Sequence, residues 1–176
     1  HLDLSPLLNK EAHALLADKP QICTAPKNAP FDKGELAEKM VADALSAIES
    51  KSGGSFEYSV RNTDRSIGAR LSGEIAKRHG NRGMDSAPIE LKLTGTSGQS
   101  FGVWNAGGLN MSLEGDANDY VGKGMAGGQL TLFPPTVSTF RSNETPIMGN
   151  TCLYGATGGT LFASGTAGER FGVRNS

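Results

Sequence analysis

Glycine recurs at a fixed interval in the second half of this chain, and no other feature restricts the fold so strongly. Gly95, Gly102 and Gly108 return twenty residues later as Gly115, Gly122 and Gly128. "GTSGQSFG" (95–102) reappears as "GTAGERFG" (165–172), with "GDANDYVG" (115–122) as a looser copy. A second element accompanies it: "AGGLNMSL" (106–113), "AGGQLTL" (126–132) and "TGGTLFA" (157–163) each set Gly-Gly before a short alternating apolar run. Strand, glycine corner, strand, at about twenty residues per cycle, is the pattern of a β-solenoid. Each turn of such a coil stacks on the last with strands about 4.8 Å apart. Corners then need positive φ or close backbone approach, and glycine supplies both.

The expected fold is therefore mainly β. It is a right-handed β-helix with rungs of about twenty residues, preceded by N-terminal α-helices. The expected corners are Gly95, Gly98, Gly102, Gly108, Gly115, Gly122, Gly124, Gly128, Gly155, Gly159, Gly165, Gly168 and Gly172. Val103, Leu109, Met111, Leu113, Leu130, Leu132 and Leu161 should alternate into a shared interior. An insertion, "FPPTVSTFRSNETP", breaks the spacing between Leu132 and Ile147. The repeat is still in phase at Ser176, and an uncapped last rung is a row of unpaired donors and acceptors. The sequence alone thus predicts further rungs beyond residue 176, and self-association through the open β edge if they are missing.

The first half has a different grammar. Of 35 charged residues, 25 lie at or before Glu90, whereas 17 of 24 glycines lie at or after Gly95. "LSPLLNKEAHALLADKP" reads as a helix with Ser5 as N-cap, Pro6 at its first position and Pro20 as a stop. In "FDKGELAEKMVADALSAIESKSGG", Asp32 and Glu35 suggest a capping box. Leu36, Met40, Val41, Ala44, Leu45 and Ile48 form one apolar stripe, and Gly53-Gly54 end the helix. "SFEYSV" alternates as a strand. "TDRSIGARLSGEIAKRHG" returns to helix, with Ile67, Leu71 and Ile75 on one face and Gly80 as the stop. Gly68 and Gly73 weaken that helix by up to ~1 kcal/mol each, so close approach to a neighbour is their expected benefit. Arg61, Asn62, Asp64 and Arg65 read as a polar joint. This division predicts a helical connector over 1–54 and a β-helix domain over 55–176.

Gly122, Gly124 and Gly127 spell G-x-G-x-x-G, the spacing of a dinucleotide loop. Such a loop needs a helix after it, whose N-terminus holds the pyrophosphate. Here "QLTLFPP" follows, an alternating strand ended by two prolines. The glycines therefore read as a corner. Lys123 does not complete a phosphate loop either, because Gly124 follows it and Ala117 stands where the first glycine belongs. Asp116, Asn118 and Asp119 fail the calcium-loop pattern because Tyr120 interrupts it; they are expected to cap the corner through local N–H groups. His1, His13, His79, Cys23 and Cys152 show no ligand spacing. His79 falls at a predicted helix C-terminus, where positive charge is favourable. Cys152 reads as a buried small hydrophobe. Arg141, Arg170 and Arg174 read as solvated or salt-linked rather than anion-binding. No acid, base and nucleophile group together, so no catalytic, cofactor-binding or metal residue is assigned.

A net charge of −1 gives no sequence-wide field for nucleic acid or anionic membranes. No apolar run approaches the ~20 residues that span a bilayer, and no secretory pattern opens the chain. Two cysteines are not a disulfide framework, so a reducing cytoplasm is expected. The chain opens on His1 rather than Met, which suggests a processed product or an excised piece.

"RNTDRSIGARLSGEIAKRHG", "GTSGQSFGVWNAGG", "GDANDYVGKGMAGG" and "GNTCLYGATGGTLFASGTAGERFGVRNS" closely resemble the large chain of the glutamate synthase family. They resemble the start of its C-terminal β-helix, the GXGXG domain, from about Phe56 to Ser176; the preceding residues resemble its helical connector. The resemblance implies a parent enzyme that transfers the amide nitrogen of glutamine to 2-oxoglutarate and reduces the product, giving two glutamates. It implies an N-terminal glutaminase cysteine, an internal ammonia tunnel, a barrel with FMN and an iron–sulfur cluster, and a small subunit that oxidises NADPH. None of those catalytic or ligating positions maps onto this sequence. This segment is then expected to be structural, holding the glutaminase and FMN-barrel domains in relative position. The alternative is a GXGXG scaffold or binding module of another redox complex, such as a formylmethanofuran dehydrogenase subunit. The near-verbatim "GDANDYVGKGMAGG" favours glutamate synthase.

Overall fold

In the computed structural model, residues 2–7, 23–27, 33–80 and 83–176 are described. The chain divides into two compact units, 1–32 and 33–176. In the first, Ser5–Leu7 form one 3-10 turn, and the Ser5 N–H donates to Asp3 Oδ1 at 2.9 Å. Most of the first expected helix, including its Pro20 stop, lies outside the described residues, as does Asp32.

Among its described residues the second unit carries two α-helices, one 3-10 turn (Ser142–Glu144) and seven strands, and every strand pairing there is parallel. Helix α1 spans Glu35–Glu49 and buries Met40, Val41, Ala44 and Ile48, four members of the expected stripe. It starts after Gly34, which has φ +87 and makes no side-chain cap bond. The expected stop also moves: Ser50 is the C-cap, and Gly54 already belongs to strand β1, Gly54–Val60. Helix α2 covers Ala69–His79 and is closed by Gly80. Gly68 is not inside α2 as the sequence pattern suggested. It is the N-cap, left-handed at φ +90, and an added Cβ would strike Met111. Gly73 is inside α2 and meets nothing within 4 Å, so it has no packing reason to be glycine.

Strands β2 (Ile89–Ser97), β3 (Leu109–Ala117) and β4 (Ala126–Phe133) continue the sheet from β1 in sequence order, and β6 (Gly158–Ala163) follows β4. Ile89 faces Leu109, and Gly95 faces Gly115, so the repeat interval of the sequence becomes the register of the ladder. The alternating residues on one face of each strand build the core: Leu91, Leu93, Leu109, Met111, Leu113, Leu130 and Leu132 are buried. Val103 is buried too, and Leu161 packs partly against the core. At about 25 cal/mol per Å² of apolar surface, this row is the main stabilising term. The result is one mainly parallel, open sheet with few helices. No helix among the described residues is long and apolar enough to cross a membrane.

Short strands β5 (Pro146–Met148) and β7 (Thr166–Ala167) pair with each other, and β5 also pairs with β3. Here the insertion acts. Glu114 of β3 faces Phe133 of β4, but Ala117 faces Met148 of β5. Between those points the chain leaves the sheet at Pro134-Pro135 and returns at Pro146. Proline cannot donate to a ladder, so the double proline is a natural exit.

Helices α1 and α2 are tied by charge. Glu74 accepts from both Arg70 and Arg78. Arg70 reaches Glu38 and Arg78 reaches Glu49, each at 3.0 Å. The bonds from Arg70 and then Arg78 hold the Glu74 carboxyl below the usual range. A depressed folded pKa stabilises above the unfolded value of about 4.3 and is lost as pH falls through the folded value. Urea midpoints measured at neutral pH and at about pH 3.5 should therefore fall less steeply in Glu74→Gln than in the parent. An equal fall in both would contradict this role for the network.

Candidate functional site

Four turns carry left-handed residues at alternate positions. In one turn they are Ser100, Gly102 and Trp104; in the next, Tyr120, Gly122 and Gly124. Thr151, Leu153 and Gly155 follow, then Arg170, Gly172 and Arg174. The alternation has a hydrogen-bonding reason. A left-handed residue reverses the direction of its amide relative to its neighbour. The Tyr120 N–H donates forward to Asn150 O at 2.9 Å, the Gly122 N–H back to Phe101 O at 2.8 Å, and the Gly124 N–H forward to Tyr154 O at 2.8 Å. Ser100 and Trp104 donate forward in the same way, and Gly102 donates back to Ile67. The first three turns are thus bonded on both sides, and Ile67, Phe101, Val121 and Cys152, whose carbonyls accept the backward bonds, are all buried.

These donors are consumed within the stack. A dinucleotide loop must offer free N–H groups to phosphate, and those of Gly122 and Gly124 already serve carbonyls. The Gly127 N–H goes to Asn105 O at 3.2 Å, and the strand after it is β4, not a helix.

Asn105 is the buried polar group of the stack. Its side-chain amide donates to Leu109 O at 2.7 Å and Gly127 O at 3.0 Å, locking the start of two strands. Cys152 is buried, and burial pushes its thiol above the ordinary value. One ring nitrogen of His79 lies 2.7 Å from Ile48 O. No group of three or more metal-ligating side chains occurs among the described residues.

The insertion opens a cleft of about 440 Å³ against the sheet. Its floor is formed by residues of β2 and β3, among them Thr96, Glu114 and Asp116, and its far wall by the insertion, with Pro134, Phe140 and Ile147. Asp116 Oδ1 accepts from the Thr96 hydroxyl at 2.6 Å.

The family described as the GXGXG motif matches residues 35–176. The chain belongs to the GXGXG motif family. It is also similar to glutamate synthases along most of its length. It is 56% identical over 119 residues to the ferredoxin-dependent glutamate synthase of Pyropia yezoensis, covering 68% of this chain and 8% of that protein. It is 47% identical over 141 residues to the large chain of the NADPH glutamate synthase of Azospirillum brasilense, covering 80% and 9%. The NADH glutamate synthase of Saccharomyces cerevisiae matches at 42% over 176 residues, covering 100% of this chain and 8% of that protein. The chain thus spans about a tenth or less of the relatives it matches.

The expected GXGXG corners fall into groups. Gly102, Gly122 and Gly172 are left-handed at the middle turn position, Gly124 and Gly155 at the last. Gly108, Gly128 and Gly159 are left-handed where the next strand begins or is about to begin. Gly95 and Gly115 stack on each other in the ladder. Gly98, Gly165 and Gly168 have ordinary φ; a Cβ there would instead meet Asn62 O, Ile147 and Asn150 respectively. Sequence reasoning missed the first turn position, which Ser100, Tyr120, Thr151 and Arg170 fill with φ between 59 and 69. The available signal was their place two residues before the middle residue of each copy.

Asp119 corrects another expectation. Its Oδ1 accepts from the N–H of Asn150 in the next turn at 2.7 Å, not from a local group. Asn150 Oδ1 then accepts from the Glu169 N–H at 2.8 Å, and Asn118 bonds Asn62 at 2.5 Å. Asp116 likewise bonds across the ladder, to Thr96. Of the three arginines considered, Arg141 pairs with Glu144 at 2.9 Å on the surface.

Proposed function

We propose that this chain is a non-catalytic scaffold segment of a glutamate synthase, wound as a right-handed β-helix. Parallel strands in sequence order, turns bonded to both neighbours and a buried inner column support the coil. Crossovers between parallel strands are right-handed in nearly all proteins. In this reading the parent enzyme makes two glutamates from glutamine, 2-oxoglutarate and reductant, in the cytoplasm. FMN and an iron–sulfur cluster belong to its other domains. The segment's partners are the glutaminase and FMN-barrel domains of the same polypeptide and, where present, a small NADPH-oxidising subunit.

One observation carries the reading. Relatives named for NADH, NADPH and ferredoxin all share this segment at 42–56% identity. A segment indifferent to the named electron donor is suited to holding domains apart rather than to electron transfer.

A scaffold sets distance. Duplicating residues 106–125 in the parent enzyme would add one rung, about 4.8 Å. Glutamine hydrolysis should survive, while glutamate formation driven by glutamine falls about tenfold or more, because misplacements of about 1 Å already cost that much in active sites. Coupled activity unchanged in a folded duplicate, checked by its melting curve, would contradict the spacing role.

A further inference from the structure

We infer that the cleft beneath the insertion is a docking site for a protein segment that presents one arginine or lysine from among apolar neighbours. Its volume of about 440 Å³ is within the range of ligand sites. Its walls are largely apolar, Pro134, Pro135, Phe140 and Ile147, yet Glu114 and Asp116 lie on its floor. None of the residues lining it is basic. Asp116 has the Thr96 hydroxyl, but among the described residues Glu114 has no ion pair or side-chain hydrogen bond, although β3 holds it half-buried. A partly desolvated carboxylate without a cation is an unfavourable arrangement that a guanidinium or ammonium group would correct.

Two further features select a polypeptide over a free amine. The strand ladder is interrupted here: on the side facing the insertion, Gly115 and Asp116 have no register partner between the Glu114–Phe133 and Ala117–Met148 pairs. An extended segment can bond such a gap, whereas a small amine cannot fill it. Phe140, which lines the cleft from the insertion, is also 45% exposed. Apolar rims around a charged anchor point are typical of protein contacts. The insertion breaks the repeat spacing between Leu132 and Ile147, and the cleft lies where it does so.

The inference rests on the scaffold reading only in taking the occupant from a neighbouring domain; the rung duplication tests that reading separately. The probe is the peptide acetyl-Leu-Ala-Arg-Ala-Leu-amide, titrated into the chain and followed by amide NMR shifts of Thr96, Glu114, Phe140 and Ile147. Saturable shifts at these residues are expected. The peptide with citrulline in place of arginine, equal in shape but neutral, should bind about tenfold more weakly. Glu114→Gln should remove that difference, and an unchanged melting temperature would show the variant folded. If it does not fold, Asp116→Asn offers the same comparison. Equal binding of the arginine and citrulline peptides, or no shift at the cleft, overturns the inference. Agmatine binding as tightly as the peptide would assign the cleft to a free organic cation and overturn it as well.

Discussion

Replacing Gly115 by alanine should destabilise the protein by about 4 kcal/mol, combining left-handed strain with overpacking. The added methyl would lie on the Gly95 carbonyl oxygen of the adjacent strand, and φ at Gly115 is +151. Neither partner can retreat. Gly95 is held in register by its own neighbours on both sides, and its Cβ direction is blocked by Val60 O. The melting temperature should fall by about 10 °C or more. The same change at Gly73, in α2, meets open space and should instead raise stability by up to ~1 kcal/mol. Two glycine-to-alanine variants, measured side by side by thermal melting, thus have opposite expected signs. A fall at both positions, or at neither, would show that stacking does not decide where glycine is required.

Asn105→Asp should be comparably severe at neutral pH, costing about 4 kcal/mol or more. The wild-type amide gives its two N–H donors to the carbonyls of Leu109 and Gly127, in a fully buried position. A carboxylate there would set negative oxygen against both carbonyls with no cation beside it. The protonated acid restores one donor. The buried Asp would therefore have a raised folded pKa, so the variant is best tolerated below the unfolded value of about 3.9 and loses stability as pH rises from there. Denaturant midpoints should show the gap between Asn105→Asp and wild type widening from acid toward neutral pH. A constant gap across that range would mean that the site is hydrated and the two bonds are dispensable.

The ladder was legible because register repeats sequence spacing. Once Gly95 and Gly115 are seen as copies, their pairing and the burial of Leu109, Met111 and Leu113 follow from period-two alternation. The stripe of α1 was legible for the analogous reason at helical period. The turns were only half legible. Glycine advertises positive φ, but Ser100, Tyr120, Thr151 and Arg170 adopt it without that signal; at the first three, hydrogen bonds to the turns on both sides over-determine the backbone. At Gly68 the expected close approach is there, to Met111, but its place was misread: it is the left-handed N-cap of α2 and not an interior residue. The reach of Asp119 and Asn150 into the next turn is a contact between copies, invisible to any argument confined to one copy. The cleft was least legible. The insertion was visible as a break in spacing, but a break does not say which strand residues it leaves uncovered.

The G-x-G-x-x-G spacing at Gly122, Gly124 and Gly127 offers the most direct test of the whole account. Its amides are bonded to Phe101, Tyr154 and Asn105, so none of the three glycine N–H groups is free for a pyrophosphate or a flavin phosphate. Isothermal titration of the chain with FMN and with NADPH should give no saturable binding into the millimolar range. Micromolar binding of either, lost on substitution at Gly122 or Gly124 in a folded variant, would contradict the scaffold account and return this turn to the cofactor loops.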